Sequence, residues 1–441
     1  MKKVCIIPQA VRLMSSKEVT FVSSTKKVIG KVPVSVWKQI ETNVKNASKF
    51  ISIKNYKKAV SYYKKILKSV PNFYPALNGL AYIYFSKGDF EKAIYYAEKS
   101  LSIDKENIYA LSILAEVYTL FGIIKKAKKY LDEALKLVEM YSYDLFHMSK
   151  LIEAVVFYGD YKLGYRLFNS VGAAGKDDEK IVLAAGISAI NLGYIEEGKE
   201  LLRTAFSYLS FTMSVFKILE CAKKLNIDIP PIGHPLANTL LLNLFEKAPL
   251  ENYKLLLRAD GVKAEKLGVI LRSDRSWSEK RLSIFYLVAT KDPEYVSFLK
   301  EILRCPELPT EVKDLVCLGL FSIGAINLSD ELTYNEDKKE TVKEVIERIA
   351  SRYPNSDLPE LEELIFMLDS FQNFSDTVRT LEYFKQVSDA PLISLLAVFH
   401  YILINDKNTA RRLFEPIKSE KLTTEQEKRL YHHISQMLGI N

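Results

Sequence analysis

Five histidines and four cysteines serve 441 residues, and their spacing bounds the available chemistry. His432 and His433 are adjacent, so on a helix they point about 100° apart and do not readily share one ion. They read as surface residues of a terminal helix. His147 follows Asp144 by three residues, which is a local helix-surface pair and not a metal site. His400 has no cysteine or acid at ligand spacing, and His234 stands between glycine and proline, where a turn accounts for it. Cys5, Cys221, Cys305 and Cys317 are scattered without a CxxC pair. That argues against a disulfide or zinc cluster and fits a reducing cytoplasm. No HExxH, GxSxG, GxxxxGK[ST] or GxGxxG occurs. "GVKAEKLGVILRSDRS" (residues 261–276) sets basic residues near glycines without a phosphate-loop pattern, and Glu196 and Glu197 lie on an ordinary helix face. The chain reads as a non-enzyme, with no catalytic residue, metal or cofactor expected.

The chemistry of the remaining residues is that of packing and binding. With 48% hydrophobic and 26% charged residues, the composition is that of a folded chain. "LISLLAVFHYILI" (residues 392–404) is too short to span a bilayer and is interrupted by His400, so it reads as a buried helix. "MKKVCIIPQAVRLMSS" starts like a secretion signal, but its apolar part is broken by Pro8 and Gln9, and it is taken as mature sequence. The net charge of +8 is uneven: residues 1–140 hold 25 Lys/Arg against 11 Asp/Glu, the remainder 37 against 43. A basic first half invites an acidic partner, although lysines spread along helices also serve as a solvated coat.

One pattern recurs along this basic half. Leu77, Leu80, Ala81, Tyr84, Gly88, Phe90, Ala93 and Leu101 return 34 residues later as Leu111, Leu114, Ala115, Tyr118, Gly122, Ile124, Ala127 and Leu135. Ala47, Phe50, Tyr56, Ala59 and Tyr63 precede them by the same step. Gly159, Tyr161, Gly164 and Phe168 follow after a three-residue insertion, and Gly193, Ile195, Gly198 and Leu202 come 34 later. Apolar spacings of three and four predict two amphipathic helices per unit. Gly88 stands where the first helix stops and reverses, and Ala93 lets the second approach closely. Neither helix buries its stripe alone, so units must stack.

This pattern resembles the tetratricopeptide repeat family, most strongly over residues 74–141 and more weakly over 40–73 and 145–212. The family tryptophan is replaced by Leu77 and Leu111. The resemblance implies an all-α superhelical solenoid of helical hairpins (an α-α solenoid), with first helices lining a concave face. By register, that face would carry Asn78, Tyr82 and Phe85, then Tyr109, Ser112 and Glu116, then Phe146, Ser149 and Glu153. Positions of the lysine and asparagine clamp that some members use for a peptide carboxylate hold Val44, Ser48, Ser112 and Glu116 here, which departs from the clamp. An aromatic and acidic groove favours apolar groups accompanied by lysine or arginine. The alternative is that these residues pack against the chain's own helices.

The flanks differ. Residues 1–36, with "KVCIIPQAV", "KEVTFVSS" and "KKVIGKVPV", predict a small β-hairpin or meander that caps the first repeat or docks loosely. The array is expected over residues 37–228, as about five repeats ending at the proline-rich "NIDIPPIGHPLA". Residues 229–360 read as irregular, HEAT-like helices with a turn at Pro306–Pro309 and an exposed loop at "NLSDELTYNEDKKE". Residues 361–441 read as degenerate repeats, one starting near Pro391, closed by a capping helix with Thr423 as N-cap. The functional expectation is a cytoplasmic, non-catalytic scaffold or adaptor that binds a protein or peptide. The runner-up is a regulatory protein whose basic half binds nucleic acid or another polyanion. It is disfavoured because Tyr56 and Tyr63 of "NYKKAVSYYKKILKSV" fall on core positions and no nucleic-acid signature occurs.

Overall fold

In this computed structural model the described residues are 13–14, 18–23, 25, 27–237, 239–240, 260–305, 308–335, 338–351, 359–388 and 390–440. By backbone proximity the chain divides into two compact units, one of Met1–Thr212 with Ile232–Glu246, the other of Met213–Pro231 with Lys247–Asn441. One of the passages of the chain between the units, at Pro231/Ile232, falls in the proline-rich segment.

The first unit is a stack of helical hairpins: α1 (Val34–Ser52) with α2 (Tyr56–Ser69), α3 (Tyr74–Ser86) with α4 (Phe90–Ile103), and α5 (Ile108–Leu120) with α6 (Ile124–Met140). Then follow α7 (Leu145–Tyr158) with α8 (Tyr161–Ser170), and α9 (Glu179–Asn191) with α10 (Ile195–Thr204). Gly88, Gly122, Gly159 and Gly193 all have positive φ, between 67° and 99°, so the backbone reverses at the glycines as the repeat requires. Lys54, one period before Gly88, adopts the same left-handed turn at φ 55°. The second helices are started by side chains: Asn55, Asp89 and Asp160 each accept the amide three residues on. At the crossings small residues set the distance. A Cβ on Gly198 would lie 2.6 Å from Ile190 Cγ1 and 3.0 Å from the Gly186 carbonyl, which explains glycine where the repeat usually has alanine.

The N-terminal residues form an antiparallel sheet in the order β1 (Leu13–Met14), β2 (Glu18–Val22), β3 (Val28–Pro33), with Val19 opposite Val32 and Phe21 opposite Gly30. Val19, Phe21 and Val32 share a core with Trp37, Ile40 and Phe73, and the Phe73 ring meets Phe21 edge-on at 5.8 Å. The sheet therefore caps the first hairpin. The expected strand "KVCIIPQAV" and Cys5 lie outside the described residues.

The second unit is also helical but lacks the 34-residue period. Pro293–Ile302 and Thr310–Ser322 are the expected helix pair, and a hairpin of helices Pro391–Leu403 and Lys407–Phe414 packs under a final helix, Glu425–Leu438. Two expectations are corrected. The stretch taken as an exposed loop contains a β-hairpin, Glu331–Asn335 against Lys338–Thr341, with Leu332 buried and Glu340 tied to Arg348 at 2.5 Å. The last helix is capped by Thr424, not Thr423. Glu427 stands three residues after Thr424 and completes a reciprocal capping box, while Thr423 donates its own amide to the same carboxylate.

The histidine readings are corrected too. His147 is buried and not on the surface: its partner Asp144 is the N-cap of α7 and also meets the ring at 2.7 Å. His400 has an acid after all, Asp369, at 2.7 Å from Nε2 and from a different helix. Among the described residues no group of three His, Cys, Asp or Glu converges as a metal site would require, and no helix is long and apolar enough to cross a membrane.

Candidate interaction face of the first unit

The first helices α3, α5, α7 and α9 pack against one another in series. Several register positions expected on the groove are buried between them. Asn78 accepts Ser100 Oγ at 2.7 Å and Asn107 Nδ2 at 3.0 Å, and Asn107 in turn caps α5, so this network ties α3 to the next unit. Ser112 donates to the Ile108 carbonyl, Ser149 donates to Asp178, the N-cap of α9, at 3.2 Å, and Phe85 packs between Phe90 and Phe157. At the clamp positions, Val44 is core and Ser48 bonds its own helix. Tyr109 is buried and stacked on Phe146 at 4.7 Å, nearly parallel. Tyr82 and Phe146 are half-buried and reach the surface.

Between these rings lies a charge cluster. Lys150, on α7, is only 2% exposed, and its ammonium donates to Glu116 of α5 at 2.6 Å and lies 3.4 Å from Glu153. Lys180, at the start of α9, stands 3.8 Å from Glu153 and 4.9 Å over the Tyr82 ring, with 40% of its side chain exposed. The Phe85 and Tyr82 rings flank Lys150 at 5.4 and 5.8 Å. Burial pushes the Glu116 carboxyl up to about 8 against the pull of Lys150. Burial also acts on Glu153, but Lys150 and Lys180 outweigh it and hold that carboxyl at about 2. The expectation that Glu116 and Glu153 would select a cationic partner is therefore corrected. The chain supplies their counter-charges, because an unpaired buried carboxylate is far costlier than a paired one.

Residues 232–237 return to this unit. Ile232 is held through its backbone by Asn191 at the end of α9, which accepts the Ile232 amide at 2.9 Å and donates to its carbonyl at 2.7 Å. His234 is buried, its ring 6.0 Å from Phe157. Desolvation lowers its pKa to about 4, opposed by Glu153. The inner face is thus covered by its own chain at the His234 end, and remains accessible at Tyr82, Phe146 and Lys180.

Sequence reasoning missed Lys150, Lys180, Asn191 and His234. A signal existed for the first: "LFHMSKLIEAVVFY" is apolar on all sides, and a single lysine three residues before Glu153 in such a helix implies a buried ion pair. Lys180 follows Phe146 by 34 residues and so occupies the same register position.

The family model "Tetratricopeptide repeat" matches residues 74–107. No curated protein matches the chain. Among solved structures, the chain aligns with YrrB, a tetratricopeptide repeat protein with an unusual peptide-binding site, at 22% identity and a TM-score of 0.24, over 39% of this chain and 91% of that one. It aligns with Naa15/Naa10 bound to HypK-THB at 15% identity and 0.29, over 92% and 73% of the two chains. With the P58(IPK) tetratricopeptide repeat domain the values are 12% and 0.24, over 92% and 99%. The chain thus carries a tetratricopeptide repeat at residues 74–107, within an array of helical hairpins.

Proposed function

We infer that this tetratricopeptide repeat protein is a non-catalytic scaffold or adaptor that binds a protein or peptide through the inner face of its first unit. The observation that carries this reading is the Lys180 side chain, 40% exposed, with its ammonium over the Tyr82 ring and above a floor of mutually neutralised buried charges. A floor fixed by ion pairs and stacked rings loses little entropy on binding. The candidate residues divide by role. Tyr82 and Phe146, with Lys180, make contact; Asn78, Phe85, Tyr109, Ser112, Glu116, Ser149 and Glu153 hold the floor. A fitting partner brings an apolar side chain for the rings and an acceptor for Lys180. The cysteines, scattered without a CxxC pair, favour the cytoplasm as the compartment.

The test is affinity for the principal partner isolated on the intact chain. Tyr82→Ala and Lys180→Glu are expected to weaken it at least ten-fold each with circular dichroism unchanged. Lys64→Glu, on the exposed side of α2, is expected to leave it within two-fold. Equal loss in all three variants would contradict an inner-face site.

A further inference from the structure

A second feature of the array repeats with the same period and points outward. Phe50 stacks on Tyr62 at 5.7 Å, Tyr84 on Tyr96 at 5.5 Å, and Tyr118 on Tyr130 at 5.7 Å, each pair within 11° of parallel. Both members of each pair are 34 residues from their counterparts in the next. Over each pair sits a lysine at that same step: Lys58 is 5.1 Å from the Phe50 ring, Lys92 is 5.4 Å from Tyr84, and Lys126 is 4.0 Å from Tyr118. Lys65 covers Tyr62, and Lys87 approaches Tyr84 from 5.9 Å. Tyr118 is buried, the other five rings are half-buried, and Lys58, Lys92 and Lys126 are exposed. Lys126 also donates to the Tyr118 hydroxyl at 2.7 Å, and Lys92 is braced by Asp89 at 2.6 Å.

Packing needs the aromatic pairs, since they join the two helices of each hairpin. It does not need a lysine over every pair: an exposed cation on an aromatic face contributes little to stability. What the lysines add is order. A lysine ammonium ordinarily sweeps a wide volume; here three are held at one register position of three successive hairpins, in a helix set that is strongly basic. The α2 helix alone, "YKKAVSYYKKILKS", carries five lysines and no acid.

We propose that Lys58, Lys92 and Lys126 form a row that docks an extended acidic peptide segment. Charge complementarity and spacing select this occupant. Packed helices lie 8–10 Å apart, so successive hairpins present their lysines roughly 10–20 Å apart. An extended peptide advances about 3.3 Å per residue, and it would meet the row with a carboxylate every three to six residues. Single-stranded nucleic acid fits less well. Its bases need free aromatic faces, whereas each pair here is stacked on itself and capped by an ammonium. The surface is distinct from the inner face, and the proposal stands or falls separately from the function inferred above.

The probe is a fluorescein-labelled peptide of twelve residues with glutamate at every third position, titrated with the full chain and followed by anisotropy. Lys58→Glu/Lys92→Glu/Lys126→Glu is expected to weaken binding at least ten-fold. Lys64→Glu/Lys128→Glu/Lys162→Glu makes the same charge change at exposed sites that share no register, and is expected to weaken it less than three-fold. Lys58→Arg/Lys92→Arg/Lys126→Arg, which keeps charge and ring contact, is expected to restore the parent affinity and guards against a folding defect in the reversal variant. Equal loss in both reversal variants would overturn the row, because binding would then follow net charge alone. A single-stranded oligonucleotide of matched charge that binds tighter than the peptide and loses as much on reversal of the row would overturn the choice of peptide. No measurable binding of the peptide at low salt would overturn both.

Discussion

Lysine plays opposite parts on two surfaces of the same helical array. Lys150 on the inner helices is 2% exposed and locked between Glu116 and Glu153, where it holds α5 and α7 together. Lys58, Lys92 and Lys126 stand exposed over aromatic pairs that would pack without them. Solvent makes the difference. A charge removed from water interacts strongly and is expensive to leave alone, while an exposed one is screened and adds little to folding. Buried charges should therefore read out as stability, and exposed ones, Lys180 of the inner face among them, as binding.

The largest expected effect follows from breaking the inner pairing. Lys150→Met leaves Glu116 and Glu153 buried with one fewer counter-charge, and urea unfolding should lose about 3–5 kcal/mol. Adding Glu116→Gln should recover more than half of that, because the worst-placed carboxylate disappears. A single variant as stable as the parent would mean the cluster is open to water.

His234 sharpens the same contrast through pH. Its pKa falls from an ordinary 6.5 to about 4 on folding, so the native state prefers the neutral ring. Its contribution is present above pH 6.5 and lost as pH falls through 4. His234→Gln should therefore flatten the acid limb of stability relative to the parent, by on the order of 2–3 kcal/mol between those pH values. Glu116 acts with the opposite sign. Its raised pKa favours the fold below pH 4.5, and that contribution fades as pH rises through 8. Only the difference between parent and variant isolates the histidine.

Between the two layers lie the helix crossings, where Ala93 and Ala127 are fully buried. Ala93→Leu or Ala127→Leu should overpack a crossing at a cost of about 1–3 kcal/mol, visible in thermal melts. The smallest effect belongs to the outer row. Lys58→Gln, Lys92→Gln and Lys126→Gln should each leave the melting midpoint within roughly 2–4 °C of the parent. A larger fall would make the row a structural device.

Repetition made much of the fold legible. Gly88, Gly122, Gly159 and Gly193 announce their turns because glycine favours the left-handed backbone they adopt. The same turn at Lys54, Lys291 and Gln372 carries no such mark, since those residues enter it only when packing imposes it. Partners distant in sequence were equally hidden. Nothing near His400 suggests Asp369, and nothing in the turn around His234 suggests that it returns to the array. For the candidate face, register assigns residues to the first helices of successive hairpins, but it carries no information about exposure. Hence Asn78, Ser112 and Glu116 were read as contacts where the structure buries them. A repeat consensus reports which positions coincide, and the identity of each neighbour decides whether the position is open.

The central claim, that partners meet the inner face of the first unit, is most directly tested by site-specific photo-crosslinking in the native host. A benzophenone side chain replaces Tyr82 in one chain, Phe146 in a second and Lys64 in a third. The account predicts one and the same partner captured from Tyr82 and Phe146, with crosslinked residues that include an apolar side chain, and no capture of it from Lys64. Capture from Lys64 with none from either inner position would contradict it.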